Sequence, residues 1–505
     1  MYINVGKHQL IIKRTWKLAI LSTWIVGLLA HAYRFFNLMP TWDSMYNYKG
    51  TGTTVALGRW FLEIVGHLST EYDLTWINGA FSLIFISVAV VFLVDLLEIK
   101  NDISVILTAA LVVTFPTVTS SFAFMFTADC YMFAFAMAVL GMFLSFRYKY
   151  GFLGGMACIC ISIGTYQAYL SVAMMTFLLV ALKHLLLDEK SCKEVLFEDW
   201  KAGIAIVGGA VLNNLMSALS IWLLQIDLSA YQGINSMGIL SGRGYLEALL
   251  KTWESFMHIW GLSTGEYTRT YSMANLIVLT LLFITTIVIV IKKKMCRSWP
   301  ELLMAGLVCV ALPICSYVIY FVSEQTAYHT LMEMGVCFLY LILIVYFEHD
   351  MWKQRGLRIV KWIGVFALII IVYSNTMNAN RAYFNMQLSY EKSYALCSSI
   401  LDEIDGLDAT KETNEVAIMG RYHAGDEGLG TLLPDIHGAS NDVFLKSTDH
   451  YAIMWENNFG REFSVAIPED IAKIYESNLY QEMPIYPYNG SVAIINDIIV
   501  VKLSE

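Results

Sequence analysis

The chain has 505 residues, of which 57% are hydrophobic and only 15% are charged. Because soluble domains carry about 25% charged residues, this composition excludes an ordinary soluble protein and indicates a membrane protein. The formal net charge of −9 argues against a nucleic-acid partner, because nucleic acids are themselves negatively charged.

Eleven apolar segments are interpreted as membrane-spanning helices, since about 20 apolar residues cross the hydrocarbon core of a bilayer. The fifth is short, and Pro116 interrupts the third. The first is too long for a signal-peptide core and lacks a small-residue cleavage site, so it is interpreted as a retained span. In chain order the predicted spans are 16–36, 76–96, 103–119, 128–146, 152–165, 168–187, 203–224, 272–291, 300–322, 330–347 and 359–376.

Lysine and arginine are unevenly distributed between the connections on the two sides of the membrane. One alternating set of connections holds nineteen of them, and the opposite set holds six. By the positive-inside rule the richer set is cytoplasmic. The amino terminus is therefore predicted to be cytoplasmic, and eleven spans place the carboxyl terminus outside.

The composition changes after about residue 376. Residues 377–505 contain 20 acidic and 8 basic residues, so this part is strongly acidic. Its end, SVAIINDIIVVKL, predicts a β-hairpin about Asn496-Asp497. We therefore predict a polytopic membrane domain over 1–376 and a soluble, extracytoplasmic α/β domain over 377–505. The other patterns in this domain are helices at 389–406 and 468–482 and strands at 415–420 and 463–467.

Two long outer connections, 37–75 and 225–271, each contain an amphipathic helix pattern. In VALGRWFLEIVGHL the apolar residues recur at three- and four-residue steps, and Arg59, Glu63 and His67 line the other side. The stretch RGYLEALLKTWESFMHIW repeats this arrangement. Such helices lie in the plane of the membrane interface. Two of them above a helical bundle predict a cavity at the outer membrane boundary.

Ionisable side chains near membrane depth are costly and usually functional, so those on the outer side are candidates. Asp43, in NLMPTWDSMYNYKGTG, follows the first span by a few residues, where a lipid headgroup and an aqueous sugar can meet. Its alternative role is that of a turn or helix-capping residue after Pro40. Asp129, in FMFTADCYMF, is a second candidate, and its alternative is a structural aspartate bound to a loop.

The outer side also offers cationic groups for a phosphate, because guanidinium binds phosphate oxygens in a bidentate manner. Arg34 ends the first span, and snorkelling to the interface is its alternative role. For Arg59 the alternative is a surface pair with Glu63, and for His329 it is a hydrogen-bonded structural position. The candidates are Arg34, Arg59, Arg243, Arg269 and His329.

Aromatic and amide side chains are candidates for binding the sugar. Tyr166, Gln167 and Tyr169, in GTYQAYL, lie in a very short outer turn, where the glutamine can hydrogen-bond a sugar hydroxyl. Tyrosines of the membrane interface are ordinary, which is the alternative for both tyrosines. Trp42, next to Asp43, completes this set.

The order of these features resembles the serotype-converting type II glucosyltransferases of bacteria and phages, within the multispanning GT-C glycosyltransferases. The resemblance runs from WDS and GRWFLEI through FPTVTSSFAFMFTADCYMFAFAMAVLG to SIGTYQAYLSVAMM. It covers about residues 15–375 and is strongest over 35–175. It implies an enzyme of the bacterial plasma membrane that moves a sugar from a polyprenyl-phosphate carrier to a cell-surface glycan. It also implies Asp43 as the catalytic residue and maps a second acid onto Asp129.

Many members of that family carry a paired acid in the first outer loop, whereas this chain has Asp43-Ser44. We therefore predict no metal and no other cofactor. Asp43 is predicted to remove the proton of an acceptor hydroxyl, which attacks the anomeric carbon in line and inverts its configuration. The cations named above are predicted to stabilise the charge that develops on the leaving phosphate.

Other functions remain open at this stage. A transporter or flippase predicts polar residues midway through several spans, where this chain has chiefly Asn213 and Asn214. A surface-glycan polymerase is the nearest enzymatic alternative. In a third alternative, a receptor or assembly protein, the outer α/β domain binds glycan and the helical bundle only anchors it in the membrane. Eleven spans are excessive for an anchor.

Overall fold

Contacts within the computed structural model divide the chain into two units. Unit 1 comprises Met1–Asn37, Thr53–Asn380 and Thr431–His437, and unit 2 comprises Leu38–Gly52, Arg381–Gly430 and Gly438–Glu505. The predicted domain boundary after residue 376 is close to the division at Asn380, but two short segments are assigned differently. The structure describes residues 2–5, 8–11, 13–49, 54–67, 73–188, 190–238, 242–261, 268–293, 295, 298–323, 325–407, 413–424 and 436–505.

Unit 1 is a helical bundle preceded by two short antiparallel strands, β1 (Tyr2–Val5) and β2 (His8–Ile11). The first helices are α1 (Arg14–Phe36), α2 (Trp60–Gly66), α3 (Thr75–Leu96), α4 (Asp102–Thr114), α5 (Pro116–Ala123), α6 (Met125–Arg147) and α7 (Gly151–Thr165). They are followed by α8 (Leu170–Leu186), α9 (Cys192–Leu224), α10 (Gly242–Ile259), α11 (Arg269–Lys292), α12 (Trp299–Ser316), α13 (Cys337–Phe347) and α14 (Arg355–Asp405).

The length and composition of these helices fit a protein that crosses the membrane many times. Within the described ranges, nine helices are long and apolar enough to span a bilayer. Two shorter apolar helices, Gly151–Thr165 and Met334–Phe347, occupy the positions of the fifth and tenth predicted spans. The predicted third span bends at Phe115, where α4 ends and α5 begins with Pro116, a residue favoured in the first turn of a helix. Unit 1 is therefore a multispanning helical membrane structure.

The centre of the bundle is formed by α6, which packs against α3 and α7. Glycine permits the close approach of α6 and α7, because a Cβ at Gly155 would lie 2.8 Å from the Gly141 carbonyl oxygen. The GxxxG pattern of Gly151 and Gly155 thus includes a helix-packing position, which is the ordinary function of such a pattern.

The two ends of the bundle differ in chemistry. At the end where α1 begins, Lys183 lies 2.8 Å from Asp188 and 3.4 Å from Glu98, and Lys13 pairs with Asp95. We call the opposite end, where α1 and α7 end and α2, α6 and α8 begin, the distal end. The candidate residues of unit 1 lie at the distal end.

The two amphipathic stretches fold differently. The apolar side of α2 is covered by protein, because Trp60, Leu62 and Val65 are buried and the helix packs against α7. That GRWFLEI lies in the interface plane stays a prediction. The longer α10 keeps the apolar face of an interfacial helix, since Leu246 and Trp253 on that face are exposed.

Unit 2 contains a four-stranded sheet with helices on both faces. The strands are β3 (Glu415–Met419), β4 (Ser464–Val465), β5 (Val492–Ile495) and β6 (Ile498–Lys502), in the spatial order β4-β3-β6-β5. β3 is parallel to β4 and β6, whereas β5 and β6 form the antiparallel hairpin predicted about Asn496-Asp497. Both turn residues have positive φ angles, as a two-residue hairpin turn requires.

One face of the sheet is covered by the end of α14 and by α15 (Thr448–Met454), the other by α16 (Pro468–Glu476) and α17 (Asn478–Glu482). The predicted helix at 389–406 is the last part of the continuous α14. Met45, from the segment Leu38–Gly52, is only 1% exposed within the hydrophobic cluster on the α14 face. The segment that carries Asp43 is therefore packed into the core of unit 2.

Candidate functional site

Arg59 stands immediately before α2 at the distal end of unit 1. Gly58 precedes it with a φ of 71°, a left-handed conformation that favours glycine and turns the chain into the helix. Arg59 Nη1 donates a hydrogen bond to the Tyr131 hydroxyl at 3.1 Å. The guanidinium carbon lies 5.0 Å from the centre of the Tyr166 ring, within the range of a cation–π contact. Two aromatic side chains therefore hold this cation in place.

Contacts from other helices fix the position of α2. Trp60 Nε1 donates a hydrogen bond to Asn213 Oδ1 of α9 at 3.0 Å. At the other side of the turn, Glu63 accepts hydrogen bonds from the backbone and hydroxyl of Thr54 at 3.3 and 3.2 Å. The half-buried Arg59 is thus attached to a short but well-anchored helix.

The predicted turn GTYQAYL contributes the aromatic support. The rings of Tyr131 and Tyr166 stack with centres 4.4 Å apart, and Tyr169 meets Tyr166 edge-on at 5.7 Å. Burial raises the pKa of Tyr166 far above its ordinary value, so the phenol stays protonated as a hydrogen-bond donor. Gln167 Nε2 donates to the Leu57 carbonyl at 2.8 Å, which connects this turn to the segment before Arg59.

Two histidines form a second cluster at the distal end. The rings of His329 and His437 are stacked with centres 4.0 Å apart, and the Ser120 hydroxyl donates to the His437 carbonyl at 3.0 Å. Burial, together with the nearby charges of His437 and Arg59, lowers the pKa of His329 to about 3. His329 is therefore a neutral imidazole at physiological pH and lies within electrostatic range of Arg59.

A cavity of about 650 Å³ adjoins the two histidines. Its size falls within the range of roughly 300–1,000 Å³ that is usual for small-molecule sites. The cavity thus lies in unit 1 next to α10, and its position at the outer membrane boundary stays a prediction. It is lined by Trp253, Glu254, Ser255, Met257, His258, Tyr320, Tyr328, His329, Thr330, Glu333 and His437.

Glu333 is the most buried carboxyl group of this cavity. It is 7% exposed, and its Oε2 atom has no hydrogen-bond partner among the described residues. Glu333 precedes the apolar helix Met334–Phe347 by one residue, and burial raises its pKa to about 8. A buried carboxyl group without a partner is costly, which makes it a candidate for binding a ligand.

Arg34 and Asp129 have buried settings of their own. Arg34 is fully buried, donates to the Phe122 and Asn37 carbonyls at 2.9 and 3.0 Å, and pairs with Asp73. Asp129 is 2% exposed in α6 and accepts a hydrogen bond from Asn78 Nδ2 at 3.1 Å. These contacts favour structural positions, so Arg34 does not enter the phosphate-binding group that we propose below, and the catalytic role of Asp129 stays a prediction.

Two other predicted cations lie at the starts of helices. Arg269 begins α11 with an exposed side chain. Arg243 lies in the first turn of α10, and its side chain is outside the described part of the structure. Of the predicted cations in the described part of the structure, Arg59 and His329 influence each other electrostatically.

Asp43 and Trp42 belong to unit 2, together with the segment that surrounds Lys446. Asp43 is exposed, and the Lys446 ammonium group lies 3.2 Å from the centre of the Trp42 ring. Burial lowers the pKa of Lys446, while the charge of Asp43 acts in the opposite direction. The adjacent Thr41 and Ser44 are joined by a hydrogen bond from the Thr41 backbone at 3.2 Å, which orders the turn around Asp43.

Sequence reasoning omitted several members of the distal cluster. Tyr131 lies in an apolar helix pattern that gives no further signal, and Glu333 lies near the start of the tenth predicted span with no motif around it. His437 lies far along the chain, in the acidic C-terminal part, so no local pattern connects it with His329. Among the described residues, no group of three or more His, Cys, Asp or Glu side chains has the arrangement of a metal site.

The comparisons with known proteins agree with the resemblance. The family model described as glucosyl transferase GtrII matches residues 32–346, which is more than half of the chain. No curated protein and no solved structure matches the chain. The matched region contains α2, α6 and the His329–Glu333 segment, so it includes most of the distal cluster.

Proposed function

Because the chain belongs to the GtrII glucosyl transferase family, we propose that it moves glucose or a similar hexose from a polyprenyl-phosphate carrier to an envelope polysaccharide. The reaction takes place on the outer face of the bacterial plasma membrane, with a cytoplasmic amino terminus and an extracytoplasmic unit 2. The uneven distribution of lysine and arginine between the connections supports this orientation. The partners are the lipid-linked donor, the glycan acceptor and the membrane lipid.

The observation that carries the proposal is the setting of Arg59. Its guanidinium is held by the Tyr131 hydroxyl and the Tyr166 ring, and it influences His329 at the wall of the cavity. A guanidinium fixed in this manner is suited to the phosphate that links the sugar to its lipid. We assign Arg59 to the donor phosphate, where it stabilises the negative charge of the departing polyprenyl phosphate.

The reaction requires a base for the acceptor hydroxyl, and we propose Asp43. The hydroxyl proton passes to the carboxylate while the hydroxyl oxygen forms a bond to the anomeric carbon. The bond between the anomeric carbon and the phosphate oxygen breaks, and polyprenyl phosphate leaves with the electron pair. A single displacement inverts the anomeric configuration. The position of Asp43 directly after the first span, its exposure and the ordered turn around it support this role.

The proposal is tested with the purified full-length protein in lipid vesicles. Polyprenyl-phosphate-linked glucose and an envelope polysaccharide are supplied, and the transfer of labelled glucose is measured. Asp43→Asn is expected to reduce transfer at least about 100-fold, since a general base contributes roughly 10²–10⁴-fold. Asp227→Asn, which changes an exposed carboxylate elsewhere, is the matched control and is expected to retain transfer.

Three outcomes would contradict parts of the proposal. Full activity of Asp43→Asn removes Asp43 from the role of base. Transfer that depends on Asp129 instead of Asp43 moves that role to the buried acid of α6. Movement of the lipid-linked sugar across the vesicle membrane without glucosyl transfer favours a transporter.

A further inference from the structure

The cavity beside α10 differs in charge from the Arg59 site. The described residues that line it include two carboxylic acids, Glu254 and Glu333, and no lysine or arginine. Aromatic side chains, including Trp253 and Tyr320, supply ring surfaces. A wall of carboxyl groups and rings without a cation repels phosphate and fits a neutral, hydroxyl-rich molecule.

Glu333 offers unused hydrogen-bonding capacity in this cavity. More than nine-tenths of the residue is buried, and Oε2 lacks a partner among the described residues. Buried polar atoms are almost always paired in native structures, so an unpaired carboxyl oxygen that lines a cavity indicates a ligand that completes it. Since its pKa is raised to about 8, the Glu333 carboxyl group is mostly protonated at neutral pH, so it donates a hydrogen bond through one oxygen and accepts through the other, and two adjacent hydroxyl groups of a sugar ring match that geometry.

His329 offers a second unused polar atom next to Glu333. Its Nδ1 is buried and has no partner among the described residues, and only the short turn Thr330–Met332 separates the two side chains along the chain. The ring of His437 stacks on the ring of His329, with the ring centres 4.0 Å apart. An imidazole adds a hydrogen-bonding position for a further hydroxyl group without attracting an anion.

We infer that this cavity is a subsite for a neutral hexopyranosyl ring, in which Glu333 binds two adjacent hydroxyl groups, and that the lack of a lysine or arginine among the described lining residues excludes hexuronates and sugar phosphates. This inference rests on the proposed glycosyl transfer and adds the residue that binds the sugar hydroxyl groups. The ring comes from either the donor or the acceptor, and both sources share the same chemistry.

Binding is measured first, without turnover. The full-length protein in nanodiscs is titrated with methyl glucoside and with methyl glucuronide, followed by saturation-transfer NMR. The wild-type protein is expected to bind the glucoside at least about tenfold more tightly than the glucuronide, because the carboxylate of the latter would be buried without a lysine or arginine to pair with it. Equal binding of the two ligands by the wild-type protein overturns the inference, whatever any variant does.

The variant Glu333→Gln keeps the shape of the side chain and replaces the carboxylic acid with an amide, which changes the atoms that donate and accept hydrogen bonds. It is expected to weaken glucoside binding about tenfold, as for the loss of one hydrogen bond in a buried site, while glucuronide remains the weaker ligand. Glu247→Gln changes an exposed carboxylate of α10 outside the cavity and is the matched control. If Glu333→Gln folds and keeps the glucoside affinity of the wild-type protein, the inference is wrong.

Transfer kinetics then identify the source of the ring. If Glu333→Gln raises the KM for the lipid-linked donor alone, the subsite binds the donor glucose. If the variant raises the KM for the glycan alone, the subsite binds the acceptor. Unchanged KM values for both substrates contradict the subsite. Because the NMR titration needs no lipid-linked donor, failure of the proposed polyprenyl-phosphate reaction is distinguishable from failure of this inference.

Discussion

Arg34 and Asp73 form a buried ion pair, with Arg34 Nη2 3.2 Å from Asp73 Oδ1. Their side chains are 0% and 6% exposed, and the remaining donors of Arg34 reach the carbonyls of Phe122 and Asn37. The pair therefore joins the end of α1 to the segment before α3 and to α5. A guanidinium occupied in this manner holds helices together at the distal end.

Replacement of Arg34 by alanine is expected to destabilise unit 1. Removal of one partner leaves the other charge buried, which costs roughly 3–5 kcal/mol. The matched control is Arg14→Ala at the other end of α1, where Arg14 forms an exposed pair with Asp102 and about 0–1 kcal/mol is expected. Thermal unfolding in detergent compares the two variants. Unchanged stability of Arg34→Ala together with a higher KM for the donor would restore Arg34 to the phosphate site.

Arg59 variants test the proposed donor phosphate site. Arg59→Ala is expected to reduce kcat/KM for the lipid-linked donor about 100-fold, because one preorganised donor to a developing anion contributes roughly 2.7–4 kcal/mol. Arg59→Lys is expected to recover only part of the activity, since an ammonium group cannot donate as a planar fork. Steady-state kinetics with varied donor concentrations measure both effects.

The control for Arg59 is Arg269→Ala, which removes an exposed guanidinium at the start of α11. Its kcat/KM is expected to change by less than about threefold, as for an exposed surface charge. A larger loss for Arg269→Ala than for Arg59→Ala would move the phosphate site to α11.

The helical segments were largely predictable from the sequence, because length and apolar composition are local properties. The hairpin about Asn496-Asp497 was predictable for the same reason, since β-branched runs and a two-residue turn lie next to each other in the sequence. The family resemblance is also confirmed, by the match over residues 32–346.

Other features depend on contacts between distant parts of the chain. Met45 is buried in the core of unit 2, so the segment with Asp43 is not a simple loop of the membrane unit. His437 likewise belongs to unit 1 through His329 and Ser120, although most of its neighbours in the sequence belong to unit 2. Contacts between residues that are far apart in the sequence leave no local periodic pattern. The prediction from the sequence could therefore give only one domain boundary, near residue 376.

His450 is expected to make the stability of unit 2 depend on pH. It is 4% exposed, its Nδ1 accepts a hydrogen bond from the Lys446 backbone at 2.9 Å, and its ring meets Tyr46 at 5.1 Å. Burial lowers the pKa of His450 from 6.5 to about 4. Between these values the unfolded chain binds the proton and the folded chain does not, so the contribution is complete above pH 6.5 and is lost as the pH falls toward 4.

The loss is expected to reach about 3 kcal/mol near pH 4, at roughly 1.4 kcal/mol for each pH unit of difference. Hydrogen exchange of the amides in β3 and β6 between pH 7.5 and 4.5, corrected for intrinsic exchange rates, localises the effect to unit 2. The variant His450→Gln keeps an acceptor for the Lys446 amide and should flatten this pH dependence. An equally steep loss of protection in His450→Gln would show that another group titrates.

A final prediction connects the close packing at Gly164 with the position of Arg59 in the proposed phosphate site. A Cβ at Gly164 would lie 2.4 Å from Trp60 Nε1 and 3.1 Å from Asn213 Oδ1, the two atoms of the hydrogen bond that anchors α2. Gly164→Ala is therefore expected to displace Trp60, and with it the adjacent Arg59. Overpacking of this kind costs roughly 1–3 kcal/mol.

Gly154→Ala is the matched control in the same helix, because a Cβ there meets only Leu144 Cδ1 at 3.4 Å, an ordinary contact. Gly164→Ala is expected to raise the KM for the lipid-linked donor about tenfold, since a displacement of about 1 Å at a catalytic group can cost up to 10²-fold in rate. Gly154→Ala should keep the KM of the wild-type protein. If both alanine variants leave the KM unchanged while Arg59→Ala raises it, the site tolerates movement of α2, and the Trp60–Asn213 hydrogen bond has no part in positioning Arg59.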